Sequence, residues 1–426
     1  MGYGEGNAVG RTEHQAPPAW QAPGEIERRL YEAKLRGDWP AFFDCLAEED
    51  LFFADSVARI EEDPGTYVLT PYWYSQVRAN CLPLLTDGML PDPDADTAFC
   101  RTDLGWLADG WRDSDTSWIV INPGSPCEVF FPATPAHRAL WQQHVRRVEQ
   151  RDSGGRPHYR MRLRSLEGSG AAKGAVAHGL GLIALLSVSN GDLWNAIAYH
   201  GTGYKNEKGR LKEWWGITSR EEWRHYQEQL LEADQVRGAW EFVLGVRRSL
   251  SREFGGPIEV DQWRQAAEKV LRRGAEGTEY RLSADGVTKV GPRDGAEVAA
   301  QIAGVQRLIG RIARYEKRFR ADELLAEGKF IPSVEAWDYG RAAGMARWGL
   351  GARYCDQREA EDAIARASRL GRLNYRSWEE FSASYILGRC LHFDEEEFGT
   401  WYQEMLDAHR ILTTDPGSPW LTIPWQ

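Results

Sequence analysis

The chain has little sulfur and no surplus of positive charge. Only 6 cysteines and 5 methionines occur in 426 residues, and Cys45, Cys81, Cys100, Cys127, Cys355 and Cys390 form no CxxC pair and no tight Cys/His grouping. Disulfide frameworks belong to small secreted chains short of core, and zinc fingers need closely spaced ligand pairs, so these read as scattered reduced thiols of a cytoplasmic protein. Lys and Arg total 52 against 63 Asp and Glu, a net charge of −11. That sign argues against nucleic acid and anionic membrane as partners. Long apolar runs are missing too. The most apolar stretch, Gly174 to Val188, is about 15 residues where a spanning helix needs about 20, and it reads as a buried helix. Residues 1–24, rich in Gly, Pro, Gln and Ala, lack the apolar segment of a signal peptide and read as a disordered leader.

What is present is enough for a large core: 42% of residues are hydrophobic and 19 are tryptophan. Length alone allows two or three domains, and two are expected. From Glu25 the near-helical spacing of Ile26, Leu30, Ala33 and Leu35 predicts a helix, with a second around Phe42, Phe43 and Leu46 after Pro40. Thr66 to Leu69 and Tyr72-Trp73-Tyr74 are β-prone, Leu82 to Leu85 runs into the turn Thr86-Asp87-Gly88, and Trp118 to Ile121 pairs with Glu128 to Phe131 as a hairpin across Asn122-Pro123-Gly124. Residues 149–173, with Ser153-Gly154-Gly155 and Gly168-Ser169-Gly170, read as an Arg- and Gly-rich linker. Beyond it helical periodicity dominates over 221–235, 239–254, 260–273, 297–319, 334–350, 357–370 and 378–391. Ser219 and Ser377, each followed three residues later by a glutamate, have the capping-box pattern. The fold class expected is α+β, a small N-terminal α+β module over 25–148 and a larger, mainly α-helical domain over 174–426.

No motif fixes a reaction. Gly168 to Gly174 lacks the Ser or Thr that follows the lysine of a phosphate loop, and Gly179-Leu180-Gly181 lies inside an apolar helix, where it serves close packing. His178, His200 and His225 do not share a helical face, and Asp92, Asp94 and Asp96 lack the glycine and distal glutamate of a calcium loop, so no metal is expected. No cofactor is expected either. The basic stretch Arg307, Arg311, Arg314, Lys317 and Arg318 offers a face to an acidic partner, or is the polar side of a core helix whose long stems cover apolar surface.

The densest polar and aromatic grouping is C-terminal: Trp337 to Arg341, Ser377 to Phe381, Tyr385 to Arg389, and Ser418-Pro419-Trp420 to Trp425. As a site, Asp338, Glu379 or Glu380 would act as base, Arg341 or Arg389 would clamp an anion, and His392 stands one turn after Arg389. As structure, the same residues are an inter-helix ion-pair network with tryptophans for core. Trp337, Trp378, Tyr385 and Trp420 are the binding candidates, since indole and phenol groups suit both helix junctions and interaction surfaces.

Through Leu211 to Ile217, Trp337 to Arg341, Ser377 to Phe381 with Tyr385 to Arg389, and the Ser418-Pro419-Trp420 ending, the chain resembles the bacterial family called domain of unknown function 1266 from about His178 onward. The resemblance implies a helical domain and no reaction. Residues Glu25 to Val145 resemble the SseB-type amino-terminal domain through Leu84 to Gly88 and Ile119 to Gly124. Such modules are thought to serve protein interaction, often beside secretion or toxin genes. The function expected is therefore a cytoplasmic, non-enzymatic adaptor or regulator with a protein partner. The alternative is a hydrolase-type enzyme using the carboxylate and arginine cluster.

Overall fold

The chain begins with two helices set by local chemistry. In the computed structural model, α1 (Glu25–Arg36) ends where Gly37 takes a left-handed conformation, and α2 (Trp39–Ala47) starts where the Asp38 side chain accepts from Ala41 N with Pro40 in the first turn. The structure describes residues 20–111, 118–151, 161–168, 173–199, 201–236, 238–276, 279–283, 286–290, 294–394 and 397–426. Residues 1–19 of the expected leader and 152–160 and 169–172 of the expected linker lie outside the described residues, as does His200, whereas linker residues 161–168 are described.

Next come β1 (Leu51–Ser56), α3 (Val57–Glu62), β2 (Tyr72–Tyr74) and β3 (Ala79–Leu84), followed by a short 3-10 turn at Asp87–Met89. β4 (Thr97–Thr102), α4 (Leu104–Gly110), β5 (Trp118–Ile121), β6 (Val129–Pro132) and α5 (Pro135–Arg151) complete this half. β1 and β4 pair antiparallel from Leu51↔Thr102 to Ser56↔Thr97, and a four-stranded sheet runs β2-β3-β5-β6 with β3 and β5 parallel. Phe52 exchanges both backbone bonds with Leu85, 2.8 Å each, joining the two sheets. The hairpin expected from Trp118 is present in the register Ile119↔Phe131. Thr66 to Leu69 is not a strand: Val68 N is taken by the Asp55 carboxylate instead of a ladder partner.

The second half is helical. α6 (Gly174–Leu182) and α7 (Ala184–Asn190) divide the apolar run at Ile183. α8 (Tyr204–Trp215), α9 (Arg220–Leu231), α10 (Gly238–Phe254) and α11 (Val260–Glu276) lead to a hairpin of β7 (Glu279–Ser283) and β8 (Gly286–Val290). α12 (Gly295–Ala321), α13 (Ala336–Gly351), α14 (Gln357–Asn374), α15 (Trp378–Phe393), α16 (Thr400–Thr414) and α17 (Pro419–Thr422) follow. α13 and α15 are buried on nearly every side, as expected of helices rich in apolar and small residues all round. α13 packs on α6, α8, α9, α14 and α15, which makes it the axis of this half. Among the described residues no helix is long and apolar enough to cross a membrane.

The fold class is thus α+β, a small mixed module followed by a larger, mainly helical part. At the two serine caps the glutamate reaches one residue further back than a capping box requires: Glu222 accepts from Thr218 N and Glu380 from Arg376 N, each at 2.7 Å. The full box is formed at Asp356 and Glu359 instead.

Candidate functional site

Of the C-terminal candidates, Asp338, Arg341, Tyr385 and Arg389 converge where α13 crosses α15. The crossing is close because Gly340 has no side chain: a Cβ there would stand 2.5 Å from the Tyr385 ring and 2.8 Å from Leu182 O. Asp338 is fully buried and both its oxygens are engaged. Oδ1 takes the Arg341 guanidinium, and Oδ2 accepts from the backbone N–H groups of Gln235 and Val236, each at 3.0 Å. Burial raises its carboxyl above the ordinary value and Arg341 opposes the shift. Asp338 therefore ties the loop after α9 to the central helix. No oxygen is left facing a substrate, as a general base requires.

Arg341 lies 3.5 Å above the Trp337 ring centroid and 5.5 Å from that of Trp215. Arg389, only 8% exposed, stacks over Trp401 at 4.9 Å and Phe393 at 5.4 Å. Tyr385 is buried beside both arginines, its hydroxyl without a hydrogen-bond partner, and burial pushes its phenol up. Glu379 does not join this group. It is exposed at the start of α15, ten residues and so about 15 Å along the axis from Arg389. His392 is also exposed, its ring 5.0 Å from that of Trp337.

The four binding candidates are all interior. Trp337, Trp378, Tyr385 and Trp420 are buried, and the last turns of the chain close as a tryptophan clasp. Trp378 Nε1 donates to Ile423 O at 2.9 Å, Trp420 Nε1 to Gly181 O at 3.0 Å, and Trp425 Nε1 to Tyr375 O at 2.8 Å. His178 stacks on Trp378 at 4.7 Å, and burial holds its imidazole down at about 4. The Gly179 and Gly181 pair serves close packing: a Cβ on Gly181 would lie 2.6 Å from the Trp378 ring.

The structure also shows a place that motif reading missed. A cavity of about 980 Å³ lies between the two halves, walled by Asp87, the loop around Asp92 and Asp94, Phe99, Tyr199, Tyr204 and Arg353. Arg353 crosses the junction, donating to Asp94 O at 2.8 Å, Ala95 O at 2.9 Å and Thr97 O. On the same seam Tyr204 donates to Glu61, and Lys208 meets Glu61 at 2.7 Å. Asp87 belongs to the wall of this cavity and of a neighbouring one of about 650 Å³ beneath α1. Its Oδ2 pairs with Arg164 at 2.5 Å, while Oδ1 is buried without a partner. Burial raises this carboxyl to about 7, against the pull of Arg164. Tyr199 has a φ of 50°, uncommon for a bulky side chain, and its hydroxyl also has no partner.

Thr86-Asp87-Gly88 was legible only as a turn, because Arg164 is 77 residues away in sequence. Cys355 lines the cavity as well, but burial pushes its thiol up to about 12, far from a reactive thiolate. Among the described residues no group of three His, Cys, Asp or Glu is placed to hold a metal ion.

The family model described as "Protein of unknown function (DUF1266)" matches residues 210–425, which run from within α8 to the tryptophan clasp. No curated protein and no solved structure matches the chain.

Proposed function

The chain belongs to the DUF1266 family, whose description names no activity, and from that premise we propose that it is a non-enzymatic protein-interaction or regulatory adaptor of the bacterial cytoplasm. Its N-terminal half serves as an SseB-like interaction module, and a secretion or toxin system is the setting such modules suggest. One observation carries the reading. β2 is an outer strand of the four-stranded sheet, and it turns Tyr72, 55% exposed, and Trp73, 65% exposed, toward solvent. An outer strand bearing two bare aromatic rings suits an extended peptide added at the sheet edge, with main-chain bonds for affinity and the rings for selectivity. The helical half then acts as the rigid body that carries the module.

The test is affinity capture of the tagged full-length chain from its host lysate, wild type against Trp73→Ala, read by mass spectrometry. A stoichiometric protein present with wild type and lost with Trp73→Ala supports the reading. Identical capture by both, or no stoichiometric protein at all, removes it.

A hydrolase-type reading has one observation in its favour: Asp87 is among the residues lining the junction cavity, and burial raises its carboxyl to about 7. Turnover of ester and phosphoester substrates that disappears in Asp87→Asn would support it. Turnover unchanged in that variant would end it.

A further inference from the structure

Helix α12 carries the basic stretch that stands out in the sequence, and the structure separates its arginines by what they hold. Arg318 pairs with Asp322 at 2.6 Å. Arg311 donates to the carbonyls of Cys390 at 2.9 Å, Leu391 at 3.2 Å and Asp394, closing the C-terminal end of α15. Arg314 makes two bonds to Glu397, at 2.7 and 2.5 Å. Arg307 is exposed and has no ion pair or hydrogen bond among the described residues.

Beside these residues a groove of about 730 Å³ opens between α12, α11 and the start of α10. Four arginines line it, Arg264 from α11 with Arg307, Arg311 and Arg314 from α12, and no carboxylate does. Arg314 is met from outside the groove by Glu397 and Arg264 weakly by Asp261, while Arg307 and Arg311 have no carboxylate partner among the described residues, so in a chain of net charge −11 the wall keeps a local positive surplus. Its floor is Gly310. A Cβ at that position would stand 3.0 Å from Arg264 Nη2 and 3.4 Å from Arg314 Nη1, so two guanidinium tips from different helices lie over the same bare backbone. Arg264 has one weak contact, to the Asp261 carboxylate at 3.4 Å, and its Nε is buried without a partner. Its backbone is fixed against α12, because the Gln306 amide donates to Arg264 O at 3.2 Å. Like charges held together over a cradle, with donor capacity unused, are an arrangement that an anion stabilises.

We propose that this groove is an anion site for a soluble, phosphate-bearing small molecule, held by Arg264, Arg307 and Arg314 over Gly310. Phosphate is the class because its several equivalent oxygens accept at once from the Arg264 and Arg307 guanidiniums and from Arg314 Nη1, the end of that fork that Glu397 does not hold, whereas a carboxylate has two oxygens to offer. Trp240, Leu308 and Leu391 in the same wall supply apolar surface for the organic part of the ligand. The site is independent of the β2 edge and would give the protein a small-molecule input.

Isothermal titration calorimetry of the full chain with inorganic pyrophosphate tests the proposal. Saturable binding is expected, weakened at least tenfold in the double variant Arg264→Ala with Arg307→Ala. Gly310→Val, which fills the cradle, is expected to weaken it likewise, and Arg358→Ala, an exposed arginine of α14, to leave it unchanged. A thermal melt of each variant separates lost binding from lost fold, and the exposed Arg307→Ala alone keeps the test alive should Gly310→Val not fold. No saturable binding by wild type, equal binding by the double variant, or attachment to phosphatidylserine vesicles with none to pyrophosphate would each overturn the proposal.

Discussion

Asp338 and Asp87 are both buried aspartates facing an arginine, yet they do opposite things. Asp338 gives one oxygen to Arg341 and the other to two backbone N–H groups, so every lone-pair direction that matters is used inside the fold. Asp87 gives one oxygen to Arg164 and leaves the other without a partner, in the wall of a cavity. An ion pair in sequence or structure is thus no guide to role. What separates a rivet from a poised group is whether the remaining polar atoms are satisfied.

The largest effect expected from breaking this comparison is at the rivet. Asp338→Ala leaves Arg341 buried beside no carboxylate and two N–H groups without an acceptor, and should lower unfolding free energy by roughly 3–5 kcal/mol, measured by urea denaturation. A loss below about 1 kcal/mol, the worth of an ordinary hydrogen bond, would show that the loop after α9 has other anchors. Asp87→Asn should lower stability by only about 1 kcal/mol, because Arg164 keeps Glu49 at 3.2 Å and Gly191 O at 2.7 Å. Equal losses at the two positions would abolish the distinction drawn between them.

The pH dependence sharpens it further. The Asp87 carboxyl is raised from an ordinary 3.8 to about 7, so the folded chain keeps a proton that the unfolded chain releases, and the associated stability is lost as pH rises through that window. His178 and His409 are lowered from 6.5 to about 4 by burial, so their contribution runs the other way: stability falls as pH drops from 6.5 toward 4. In wild type the two trends oppose. Asp87→Asn removes the first, and its stability should rise more steeply with pH than that of wild type between 4 and 6.5, as read from denaturation midpoints. Parallel curves for the two proteins would contradict the placement of Asp87 as a protonated group.

A smaller, local effect is expected at Arg353. Arg353→Ala removes the donors that hold Asp94 O, Ala95 O and Thr97 O. Faster amide hydrogen exchange around residues 91–97 should follow, with little change in global stability. Unaltered exchange there would mean that the junction is held chiefly by Tyr204 and Lys208 on Glu61.

Much of the helical half was legible because its periodicity is strong. Val260 and Gln357 start their helices where the pattern places them, and Gly179 with Gly181 could be assigned to packing from their apolar surroundings alone. β1 and β4 were not legible. Leu51-Phe52-Phe53 is too short an apolar run to separate strand from helix, and its partner Thr97 to Thr102 is remote in sequence. α8 and α16 escaped because their polar and aromatic residues blur the apolar stripe, and α5 because its buried positions are few, among them Trp141 and His144. For the candidate site, the sequence placed Asp338 and Arg341 on one helix, three residues apart. Whether Glu379 joined them depended on how far along α15 it stood from the crossing.

By itself the sequence determined the fold class, the family of the C-terminal half and the exclusion of spanning helices, because composition and periodicity are properties of short windows. Only the tertiary structure decided that Trp378, Trp420 and Trp425 form a buried clasp while Trp73 stays on the surface, that Asp338 is sealed while Asp87 borders a cavity, and that Arg264 meets Arg314 over Gly310. Each of these depends on which distant segment supplies the last hydrogen bond or the absent side chain, and that is fixed by packing between elements, not by the order of residues within one.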